Sequence, residues 1–147
     1  VYGCLGSDVD FYNTVIPQKG TQASPSIFSY TSANSFLGEA AIHFGMTGTN
    51  YAVFEQLPTG LAGLLAALAH LAAGDDEKMI GGVCDVGCPE LFDQPDKFPS
   101  GAVFFMLEAV GTNPQRSYGS LVSELPGKLV FNGQPVDTLS ALVDQCL

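Results

Sequence analysis

The sequence predicts a layered α/β domain with a mixed sheet packed around a buried central helix. Three observations point there. Strand-length apolar runs and helical runs follow one another in the order βα-α-βα-β-β-β-α, the pattern of an α/β layered domain. Residues 60–73 form a helix-length run that is apolar or small on both sides. Residues 102–107 form an unbroken apolar run, as expected of a strand covered on both faces.

The elements follow in order. Residues 1–5 make a short apolar strand that ends at the turn Gly6-Ser7-Asp8, and a short helix then places Phe11 and Val15 on one face. Because Val1 opens directly in a strand-like run, a segment preceding it is expected. Residues 18–25 are polar and rich in Gly, Ser and Pro, which makes a loop. Thr31 or Ser32 can cap a helix to about Phe44, with Phe36, Ala40 and Phe44 on its apolar face and Gly45 ending it. Residues 50–54 read as a buried strand. In the helix of residues 60–73, Leu61, Leu64, Leu65, Leu68, Leu71 and Ala72 form one wide stripe. The other side is Ala62, Gly63, Ala66, Ala69 and Ala73, interrupted by His70. Small residues there allow close backbone approach, so burial nearly all round is expected. Residues 78–84 give a strand and residues 85–100 a proline-rich loop. Residues 118–124 alternate like a strand with one wet face, and Asn132-Gly133 marks a turn. Asp137 then caps a last helix with Leu139, Leu142, Val143 and Cys146 on its apolar face. The whole of residues 1–147 reads as one domain, with no internal repeat.

Composition narrows the function. Hydrophobic residues make up 46% of the 147 and charged residues 14%, which fits a globular chain that hides part of its surface in an oligomer. Five basic residues against fifteen acidic ones give a net charge of −10. That argues against nucleic acid, whose binding draws on positive charge. It also disfavours direct docking on an acidic membrane or an acidic carrier protein. No stretch is long enough for a membrane span, and no charged-then-apolar leader opens the chain. Cys4, Cys84, Cys88 and Cys146 are expected as reduced thiols, and the location as cytoplasmic.

Several segments in series resemble the N-terminal half of a β-ketoacyl synthase, a family of the thiolase superfamily. They are Val1-Tyr2-Gly3-Cys4-Leu5-Gly6-Ser7, Ser24-Pro25-Ser26-Ile27-Phe28, Asn34 with Gly38, and Phe44-Gly45-Met46-Thr47-Gly48. Gly74-Asp75-Asp76-Glu77-Lys78-Met79-Ile80-Gly81-Gly82 and Gly101-Ala102-Val103-Phe104-Phe105-Met106-Leu107-Glu108 continue the series. The resemblance spans residues 1–124 and rests on the order and spacing of these pieces. Ser24-Pro25-x-x-Phe28 and Cys84-Asp85-x-x-Cys88-Pro89 are most similar to a short subfamily that includes chain-length-factor-type proteins. It implies a thiolase-like half fold, a two-fold dimer, and acyl or polyketide chains on a carrier protein as the substrate class.

The departures from the family carry the functional argument. In its active members a cysteine occupies the sharp turn before the central helix, where the helix N-terminus lowers the thiol pKa. Counting back from Pro58-Thr59-Gly60, that position is Leu57, or Gln56 after a shift of one. Chain-length factors typically carry Glu-Gln there, and this chain has Glu55-Gln56. No nucleophile is present on either count, so no catalytic residue is expected. Pro58 is allowed in the first helical turn but removes one donor from the oxyanion position. The family's C-terminal histidines have no counterpart here, and His43 and His70 lie in the wrong segments to replace them.

Glu55, Gln56, Leu57 and Pro58 are therefore the candidate substrate-contacting group, within a vestigial acyl pocket. Glu55 has a second reading, as a capping or interface carboxylate beside a helix N-terminus. The resemblance places Tyr51, Val53 and Phe54 at the dimer interface. His70 reads as a core or interface histidine, and His43 as partly buried. Cys84 and Cys88 read as small core thiols, because zinc needs further ligands. Asp75, Asp76 and Glu77 read as a solvated turn, and neither a metal nor a cofactor is expected. The expected function is a non-catalytic subunit that pairs with a ketosynthase and shapes acyl or polyketide elongation, reaching the carrier protein through that partner. The alternatives are a stand-alone homodimeric acyl-binding or structural protein, and an active 3-oxoacyl-carrier-protein synthase fragment.

Overall fold

The computed structural model describes residues 34–55, 59–85, 101–111, 117–125 and 127–147, with the single positions Val15, Pro25, Ser29 and Ser32. The described chain is mixed α/β. Its order is α1 (Ser35–Phe44), α2 (Ala62–Ala73), β1 (Lys78–Asp85), β2 (Gly101–Glu108), β3 (Leu121–Leu125), β4 (Lys128–Phe131), β5 (Gln134–Val136) and α3 (Leu139–Cys146). Its contacts divide into two compact units, Val1–Phe54 with Cys84–Ala102, and Glu55–Val83 with Val103–Leu147. The expected strand at residues 1–5 lies outside the described residues, as does the expected loop of residues 85–100 except for Asp85, which ends β1 instead.

In the first unit, α1 ends as expected at Gly45, whose φ of 64° is left-handed. Met46 N–H donates to the Ala41 carbonyl and Gly45 N–H to that of Ile42, which closes the helix's last turn. The start differs from expectation: Asn34, not Thr31 or Ser32, holds the N-cap position and makes no side-chain cap. Its Oδ1 instead accepts from the Ala52 backbone N–H at 2.8 Å. That bond bears on a second difference. Residues 50–54 are not a strand, since an N–H held by a distant side chain is lost to a strand partner. Nor are they buried, because Phe54 is 68% exposed and Tyr51 39%. Helix α1 itself buries none of its residues, so the face of Phe36, Ala40 and Phe44 is not a core face. His43 is exposed rather than partly buried, edge-on to Phe44 at 4.8 Å.

Among the described residues, the buried core lies in the second unit. Leu61, Leu64, Leu129, Phe131, Val136, Leu139 and Leu142 form one buried cluster. Full burial of each such side chain contributes about 1.5–3 kcal/mol. Strands β3, β4 and β5 form an antiparallel meander with Leu121 opposite Phe131 and Leu129 opposite Val136. The tight turn between β4 and β5 is the expected Asn132-Gly133, both in the left-handed region at φ 49° and 82°. Helix α3 shows the expected apolar face, but Thr138 rather than Asp137 caps it, accepting from the Ala141 N–H at 3.2 Å.

Strands β1 and β2 form a separate sheet. Their antiparallel sense follows from Lys78 pairing with Glu108 at 2.7 Å while Gly82 abuts Val103 and Phe104. The single mixed sheet is thus replaced, among the described residues, by two small antiparallel sheets. The small side of α2 does approach a backbone closely, at β1. A Cβ added at Gly63 would lie 2.5 Å from the Gly82 carbonyl oxygen, and one at Gly81 would lie 3.1 Å from the Ala67 Cβ. Burial all round α2 is not found. Leu64 and Ala67 are buried, but Ala69, Ala72 and Ala73 are exposed. Strand β2 is likewise covered on one face only. Val103, Phe105 and Leu107 pack on the core, whereas Phe104 and Met106 stand 49% and 65% exposed. Among the described residues, no second layer of the kind the apolar sequence implied covers these faces.

Candidate functional site

The head of α2 is where the sequence placed the chemistry. A helix start leaves backbone N–H groups without carbonyl partners, and their summed dipole favours negative charge. Leu61 at the N-cap position has no side chain able to cap. Glu55 reaches in from upstream instead. Its Oε2 accepts from the Gly60 N–H at 2.9 Å, and its Oε1 from the Leu61 and Ala62 N–H groups, each at 3.2 Å. The Thr59 hydroxyl donates to the same Oε1, and Thr59 Oγ1 in turn accepts from the Leu61 N–H at 3.3 Å. One half-buried carboxylate therefore neutralises the head of the helix.

Two further contacts fix Thr59 and Gly60. Gly60 is left-handed at φ 74°, and a Cβ there would come within 2.9 Å of the Leu139 Cβ. Leu139 donates its backbone N–H to the Thr59 carbonyl at 2.8 Å, tying the start of α3 to the start of α2. Neither Thr59, Gly60 nor Leu139 stood out as functional in the sequence. The signal that could have found them is Gly60 itself, a glycine set between Thr59 and the first leucine of the apolar run.

Of the two readings of Glu55, the capping one describes its geometry. Gln56, Leu57 and Pro58 lie outside the described residues. Tyr51, Val53 and Phe54 belong to the first unit, with Tyr51 and Phe54 exposed and Val53 half-buried. His70 sits at the far end of α2, about 13 Å along the axis from Leu61 at about 1.5 Å per residue, out of reach of the helix head. Its Nδ1 lies 3.3 Å from Asp75 Oδ2, across the Gly74 cap. Asp75 and Glu77 are exposed as expected of a solvated turn, but Asp76 differs: its Oδ2 is shielded and has no hydrogen-bond partner among the described residues. No group of three metal-ligating side chains occurs among the described residues.

The cysteines are elsewhere. Cys84 is a half-buried free thiol near the end of β1, and Cys88 lies outside the described residues. Cys146 is a free thiol in the last turn of α3, and burial pushes its pKa up, away from nucleophilic readiness. No family model matches the chain, and no curated protein or solved structure matches it significantly. Among the described residues no helix is long and apolar enough to cross a membrane.

Chemically, the helix head is an anion site already filled by the protein's own carboxylate. Oxyanion stabilisation needs N–H groups free to meet charge as it develops. The N–H groups of Gly60, Leu61 and Ala62 are engaged. The sequence from residue 5 to residue 83 contains no cysteine that could attack from this position.

Proposed function

We propose that this chain is a non-catalytic ketosynthase-like subunit. It pairs with a ketosynthase and helps shape the elongation of acyl or polyketide chains held on a carrier protein. The reading takes the chain as a thiolase-like half fold, on the resemblance of residues 1–124. The observation that carries it is the Glu55 carboxylate seated on the N–H groups at the head of α2. In an active member of the family it resembles, that head serves a thiolate and an oxyanion. A fixed carboxylate there repels both, and it suits a scaffold from which the reaction has been lost.

Two other features support the pairing role. Tyr51 and Phe54 expose large apolar surface in the segment that the resemblance assigns to the dimer interface. The net charge of −10 makes direct landing of an acidic carrier unfavourable, so the carrier would engage the partner.

The experiment is co-expression of the tagged chain with a complete ketosynthase, followed by size-exclusion chromatography. Co-elution as a heterodimer, weakened by Phe54→Asp, supports the reading. A homodimer that ignores the ketosynthase would overturn it in favour of a stand-alone acyl-binding or structural protein.

A further inference from the structure

We draw no further inference here: the strongest candidate, the outward face of the β1–β2 sheet where Ile80, Phe104 and Met106 stand exposed, carries nothing because nothing in the structure shows what covers it.

Discussion

Replacing Glu55 with alanine removes an acceptor shared by three backbone N–H groups and the Thr59 hydroxyl. Loss of a capping acceptor costs about 0.5–2 kcal/mol. Loss of the negative charge beside the helix dipole adds about 0.3–1 kcal/mol. The site is half-buried, so water reaches some of the freed donors, and Thr59 Oγ1 still serves the Leu61 N–H. The expected total is about 2 kcal/mol for Glu55→Ala. At a urea slope of about 1–3 kcal/mol per molar, that moves the unfolding midpoint down by about 1 M. Glu55→Gln keeps one carbonyl acceptor and the side-chain length while losing the charge, so it should cost about half as much. Equilibrium urea unfolding followed by far-UV circular dichroism measures both. A midpoint within about 0.3 M of the parent for Glu55→Ala, about 0.6 kcal/mol or less at a mid-range slope, would refute the capping role.

Three more outcomes are expected. Gly63→Ala drives a methyl group against the Gly82 carbonyl oxygen, 2.5 Å from the ideal Cβ, and should destabilise by about 1–3 kcal/mol in a thermal melt; an unchanged Tm would mean that α2 does not rest on β1. Thr138→Ala should cost about 1 kcal/mol, whereas Asp137→Ala should stay within about 0.5 kcal/mol, and the reverse order would move the α3 cap to Asp137. The Cys146 thiol is raised by burial, so the folded state favours its protonated form. Its contribution to stability is present below the ordinary thiol pKa and fades as pH rises through the raised value. The pH profile of its alkylation in the folded protein should therefore lie above that of the urea-unfolded chain, and a coincident profile would contradict the burial.

Local signals in the sequence carried much of the described structure. Gly45 and Gly74 each follow the last turn of a helix, and both adopt the left-handed cap that only a residue without a Cβ takes easily. Asn132-Gly133 turned the β4–β5 hairpin for the same reason. What failed was non-local. Residues 50–54 have the composition of a strand, but the Ala52 N–H is held by Asn34, eighteen positions earlier in the chain. The apolar runs of α2 and β2 signalled burial, yet composition cannot say how far an element is covered: β2 leaves Phe104 and Met106 exposed, and α2 is open at Ala69, Ala72 and Ala73. Glu55 was legible as a carboxylate near a helix start. Its grip on the N–H groups of Gly60, Leu61 and Ala62 is a set of side-chain contacts that no spacing rule encodes. Thr138 displaced Asp137 as a cap because its extended backbone, φ −145° and ψ 155°, sets its hydroxyl over the Ala141 N–H.

The most direct test of a ketosynthase scaffold without its attacking sulfur is the intact mass of the chain after incubation with an acyl-carrier thioester. An unchanged mass is expected, while a competent ketosynthase in the same mixture gains the acyl group. An acyl adduct on Cys4, Cys84, Cys88 or Cys146, formed with release of the carrier thiol, would contradict it.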